Sequence, residues 1–117
     1  MLILTHTDNH VDANDPVVRL AKSDLERALE RYSREITRIE VHFQDANADK
    51  TGANDKRCML EVRLRGFDPM AVTTTGATLT AAYHGARDTL ARTLERRFSK
   101  LRQTVRHNPF DGSENVR

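Results

Sequence analysis

The residues best suited to chemistry in this chain are its arginines. Arg92, Arg96 and Lys100 recur every fourth residue near the C-terminal end, with Arg97 beside them and Arg102 and Arg106 extending a second row. Arg27, Arg31 and Arg34 form a looser group earlier in the chain. A guanidinium is a planar fork of N–H donors that keeps its charge, so a row of them can neutralise successive phosphates of an RNA. The overall balance, 19 Lys and Arg against 17 Asp and Glu, says little about a partner. Its distribution says more. Residues 1–56 carry eleven acidic and eight basic groups, a net of −3, whereas residues 57–117 carry six acidic and eleven basic, a net of +5. Residues 77–107 hold seven basic and two acidic side chains. Such asymmetry bears on association rather than on fold. Asp88, Glu95, Glu26 and Glu30 dilute the basic field. The competing reading is a solvated helix face, or one that meets an acidic protein partner.

Other chemistry is thinly supported. His6, Asp8, His10 and Asp12 cluster near the N-terminus, but their spacing matches no zinc motif, and no metal or other cofactor is expected. Cys58 is the only cysteine, which excludes an intrachain disulfide, and it falls in register with core positions rather than standing as a nucleophile. His84 and His107 have no necessary catalytic neighbour, and "TTTGAT" at 73–78 lacks the glycine pattern and lysine of a phosphate-binding loop. No catalytic residue is expected. Arg38, His42, Arg63 and Arg65 offer a second polar surface, yet no aromatic is interleaved there to stack bases, so phosphate and shape contacts are favoured over base readout. "MLILTHTDNH" has too short an apolar opening for a secretory signal, and no apolar run nears the roughly twenty residues of a membrane span. The expected location is the cytoplasm, with no membrane partner.

The arginines need rigid carriers, and hydrophobic periodicity supplies them. Met1–Thr5 reads as a short strand. "HTDNHVDANDP" is a connection ending in a helix start, with Asn14 or Asp15 as the cap and Pro16 in the first turn. Val18, Ala21, Leu25, Leu29, Tyr32 and Ile36 then predict one helix, with Arg27, Arg31 and Arg34 roughly opposite and Glu30–Arg34 as an i,i+4 pair. The period becomes two at Ile39, Val41 and Phe43, and again at Cys58, Leu60, Val62 and Leu64, predicting a hairpin with a long loop from Asp45. Gly66, Asp68 and Pro69 mark a turn before a strand near Met70–Thr74. Gly76 precedes a final helix with an apolar stripe of Leu79, Tyr83, Ala86, Leu90, Leu94, Phe98, Leu101 and Val105. Arg97 lies close to that stripe. The fold class is α+β, a two-layer β-α-β-β-β-α arrangement with both helices on one sheet face. Residues 1–107 form a single domain, and 108–117 a flexible tail.

"MLEVRLRG", then "AVTTTGATLTAAYHGARDTLARTLERRFSKLR", together with "LERALERYSREITRIEVHF", resemble the ribosome hibernation promotion and ribosome-associated inhibitor family over roughly Leu2 to Arg102. The strongest element is Ala81-Ala82-Tyr83 leading into the basic final helix. The resemblance implies a β-α-β-β-β-α fold related in outline to double-stranded-RNA-binding domains. It also implies binding to ribosomal RNA in the small-subunit channel that messenger and transfer RNA would otherwise occupy. Translation would then be restrained by steric exclusion during dormancy or stress, without covalent reaction, nucleotide or metal. Carried over, Arg92, Arg96, Arg97 and Lys100 occupy the basic part of the final helix, Arg87 is an addition, and Arg27, Arg31 and Arg34 match the general basic region loosely, interrupted by Glu26 and Glu30. His84 stands where the family tends to carry an acid, and Thr89 where it often carries a base. The chain stops soon after the common domain, so a short factor occupying one small subunit is expected.

Overall fold

The computed structural model describes residues 1–45 and 55–106, with side chains described as far as Ser99. The expected loop at 46–54, His107 and the expected tail at 108–117 lie outside the described residues, as do the side chains of residues 100–106. The elements run β1 (Leu2–Thr7), α1 (Pro16–Ala28), a 3-10 turn (Glu30–Tyr32), β2 (Ile36–Asp45), β3 (Lys56–Leu64), β4 (Met70–Gly76) and α2 (Leu79–Arg106). This is the β-α-β-β-β-α order that periodicity predicts. The strands form one open sheet in the order β1-β2-β3-β4. β1 lies parallel to β2, a pairing whose long crossover includes α1, while β2–β3 and β3–β4 are antiparallel.

One face of the sheet is the core face. Ile39, Val41 and Phe43 on β2 sit opposite Val62, Leu60 and Cys58 on β3, and all six are buried. Ile3 extends this layer onto β1, where it pairs with Ile39. Both helices cover that face: Val18, Ala21 and Leu25 of α1 and Tyr83, Ala86, Leu90, Leu94 and Phe98 of α2 join the same buried cluster. The intervening residues of β2 and β3 form the opposite, open face.

Helix starts follow local chemistry. The Asp15 carboxylate accepts from the Val17 amide at 3.0 Å, with Pro16 in the first turn where no donor is needed. At α2 the Thr78 hydroxyl accepts from the Ala81 amide at 3.0 Å, a cap that the sequence reading passed over. Gly76 closes β4 directly against that first turn. A methyl group there would lie 2.9 Å from the Ala82 nitrogen and 3.0 Å from the Ala81 Cβ.

The first helix is shorter than expected. It ends at Ala28 rather than continuing to Ile36, and the chain passes through the 3-10 turn before entering β2. Leu29, Tyr32 and Ile36 are buried as the spacing demands, but by three different backbone geometries. The pairing register slips between Ile36 and Arg38, so Ile36 and Ile39 both face the core although three residues apart in a strand. That bulge imitates helical spacing. Glu30 and Arg34 consequently do not share a helix.

Gly76→Ala places a Cβ against backbone and should lower unfolding stability by about 1–3 kcal/mol. The check is urea denaturation, where the midpoint should fall with little change in slope.

Candidate nucleic-acid interface

Two polar ties hold α1 and its 3-10 turn against α2. At one end the Tyr83 hydroxyl donates to Asp24 Oδ2 at 2.6 Å, and Arg87 Nη1 donates to the same oxygen at 3.0 Å. At the other, the Tyr32 hydroxyl donates to Glu95 Oε1 at 2.8 Å while its ring stacks on Phe98 with centroids 5.4 Å apart. Arg31 Nη2 reaches the same Glu95 oxygen at 3.1 Å, and its guanidinium lies 5.1 Å from the Tyr32 ring centroid. An open groove of about 450 Å³ runs beside this second tie, lined by Ala28, Arg31, Tyr32, Ala91, Arg92, Glu95 and Arg96. The small Ala28 and Ala91 leave room for it, and three arginines join its lining.

The arginines expected to bind RNA divide accordingly. Arg31, Arg92 and Arg96 meet at the groove, contributed by the 3-10 turn and α2. Arg92 and Arg96 are exposed and, among the described residues, form no ion pair; Arg92 Nη2 donates to the Thr89 hydroxyl at 3.3 Å. Arg27 is exposed on the last turn of α1. Arg34 is exposed in the turn after the 3-10 segment, so Arg27, Arg31 and Arg34 are not one helix row. Arg97 is half-buried, with its guanidinium 5.9 Å from the Phe67 ring centroid, and it does not line the groove. Lys100 lies one turn beyond Arg96 on the backbone of α2. Arg87 is committed to Asp24 and to Asp88, each at 3.0 Å, and serves as a helix-to-helix tie.

Glu95 and Asp88 were expected to weaken the basic field. Both carry arginine partners, so part of their charge is offset locally. The ties involving Asp24 and Glu95 were not anticipated, although a signal existed: Tyr32 and Tyr83 fall on apolar stripes, and a buried tyrosine hydroxyl needs a partner. Nothing in one sequence says which acid supplies it.

The remaining chemical candidates resolve differently. Burial pushes the Cys58 thiol up to about 12, which suits a core side chain and opposes thiolate chemistry. The N-terminal histidines and aspartates separate: Asp8 Oδ1 accepts from the His10 amide at 2.9 Å, and Asp12 Oδ1 from the Asn14 amide at 2.8 Å, as loop-forming bonds. His6 instead lies on β1, where its Nε2 is 2.9 Å from Glu40 Oε1. That hydrogen bond leads the influences that hold the Glu40 carboxyl below its ordinary range; partial burial opposes it and Arg38 assists. Arg38 is thus paired with Glu40, at 2.8 Å. Phe43 is on the covered face, as expected, and supplies no stacking surface on the open one.

These observations define a small open-sheet α+β domain with a basic groove between its helical elements. The sequence model described as "Sigma 54 modulation protein / S30EA ribosomal protein" matches residues 4–102, and the chain belongs to that family. No curated protein sequence matches the chain. Among solved structures, the fold is similar to a ribosomal subunit interface protein from Coxiella burnetii, with a TM-score of 0.62 and 19% identity over 85% of this chain and 99% of that one. It is likewise similar to the N-terminal domain of Protein Y from Thermus thermophilus, with a TM-score of 0.62 and 22% identity over 82% of this chain and 98% of that one. Among the described residues, no helix is long and apolar enough to cross a membrane.

Asp24 provides a pH test of the helix tie. Partial burial, the largest single influence, pushes its carboxyl up, but hydrogen bonds from Tyr83 and Arg87 with the charges of Arg87 and Arg27 outweigh it, leaving it below 3.8. A carboxyl lowered by folding adds stability above its unfolded value, and that contribution is lost as pH falls through the folded value. Asp24→Asn should therefore be less stable than the parent at neutral pH, with the gap closing below pH 3.8. Urea titrations at stepped pH check this; a constant gap across that window contradicts the assignment.

Proposed function

We propose that this chain binds the small ribosomal subunit through phosphates of ribosomal RNA and sterically restrains translation during dormancy or stress. The observation carrying the reading is the convergence of Arg31, Arg92 and Arg96 on one open groove, in a chain of the Sigma 54 modulation and S30EA ribosomal protein family. The two proteins of similar fold, a ribosomal subunit interface protein from Coxiella and Protein Y from Thermus, support the same reading.

The mechanism needs no bond making. Guanidinium forks bind phosphate through charge-assisted hydrogen bonds and release condensed counterions from the RNA. Arg92 and Arg96 are the primary contacts, Lys100 extends their row by one turn, and Arg31 adds a donor while shared with Glu95. Arg27 and Arg34 supply outlying positive charge, and Arg97 contacts RNA where it wraps toward Phe67. The two-layer outline, like that of a double-stranded-RNA-binding domain, suits recognition by shape and backbone. The domain comprises residues 1–107 and works in the cytoplasm. Occupying the channel excludes other RNA by volume.

Sedimentation of the purified chain with small subunits across a salt series tests this. Binding should weaken steadily with salt, and replacing Arg92 and Arg96 by Glu should weaken it further while lowering the log–log salt slope by about one per lost phosphate contact. A folded chain that fails to sediment at low salt refutes ribosome binding. Unchanged sedimentation of the double variant refutes the groove as the contact surface.

A further inference from the structure

The open face of the sheet, opposite the helices, carries a second constellation. His6 on β1 is the direct partner of His42 in the parallel ladder, and Glu40 lies two residues before His42 on the same strand, hence on the same face. The two imidazoles stack with centroids 4.8 Å apart and planes 17° from parallel. One ligand atom from each of His6, Glu40 and His42 lies within 4.8 Å of the other two. From this convergence we propose that His6, Glu40 and His42 bind a divalent transition-metal ion of the zinc class.

The donor set selects the ion. Two imidazole nitrogens and one carboxylate oxygen suit borderline ions such as zinc, whereas magnesium and calcium require mainly oxygen ligands. Four-coordinate zinc, with bonds of about 2.0–2.1 Å, holds its ligand atoms about 3.3 Å apart. His6 Nε2 and Glu40 Oε1 are already 2.9 Å apart, so closure requires mainly side-chain rotation at His42. Arg38 holds the other Glu40 oxygen at 2.8 Å, leaving Oε1 for the ion. Glu61 Oε1 lies 2.7 Å from His42 Nε2, so an ion taking that nitrogen displaces this contact, and water supplies the fourth ligand.

The positions are rigid as well as chemically apt. Glu40 and His42 project from β2, whose other face is packed through Ile39, Val41 and Phe43, His6 is held by its register with β2, and a metal would join edge strand β1 to β2. An ion that binds the folded chain alone raises its stability by mass action. Because the cluster lies on the sheet face away from the helices, it is independent of the arginine groove and of the ribosomal reading.

The experiment is calorimetric titration of chelator-treated chain with zinc chloride, paired with thermal unfolding in zinc or magnesium. The expected result is one zinc per chain, a rise in Tm with zinc and none with magnesium. His6→Asn and His42→Asn should each weaken zinc binding at least about tenfold, while His10→Asn, outside the cluster, should leave it unchanged. Circular dichroism confirms that each variant is folded, and Glu40→Gln gives a second route if a histidine variant is not. Zinc that produces neither heat nor a Tm shift overturns the site. Equally, undiminished binding by the folded variants overturns it.

Discussion

Seating the apolar stripe of α2 on the sheet is the constraint from which the rest of the molecule follows. Tyr83, Ala86, Leu90, Leu94 and Phe98 turn one side of a 28-residue helix inward. Burying a large apolar side chain is worth about 1.5–3 kcal/mol, whereas an exposed ion pair contributes about 0–1. Packing therefore sets the rotation of α2, and its rotation determines which arginines face outward. Arg92 and Arg96 are exposed because Leu94 and Phe98 are buried.

Polar bonds refine what packing begins. Asp24 and Glu95 lie on opposite partners, one on α1 and one on α2, and each accepts from a tyrosine hydroxyl and an arginine across the interhelical contact. Their directionality fixes how the two helical elements sit side by side, and so the form of the groove. The same interactions assign roles to similar side chains: Arg87 ties helices together, Arg31 is shared between tie and rim, and Arg92 faces solvent. Identical charge does not mean identical availability.

Much of the fold was legible because burial has a period. Alternation marked β2 and β3, and the three-and-four spacing marked α2, in each case by placing apolar groups on one side. The first helix shows where this signal fails. Leu29, Tyr32 and Ile36 keep helical spacing while the backbone changes to a 3-10 turn and a bulged strand, because burial constrains where a side chain ends rather than how the backbone brings it there. For the same reason Arg31 was read on the correct side of the molecule, but with Arg27 and Arg34 in a helix row that does not exist.

The amino-acid sequence by itself determined the order of elements, their apolar faces, a cap at Asn14 or Asp15 ahead of α1 and the concentration of positive charge along α2. These are local properties, readable from neighbouring residues. Only the tertiary structure decided that Arg31 joins Arg92 and Arg96, that Asp24 engages Arg87, and that His6 leaves its sequence neighbours to stand beside Glu40 and His42. Each juxtaposition links positions more than thirty residues apart. It depends on strand register and helix packing, which no local spacing encodes.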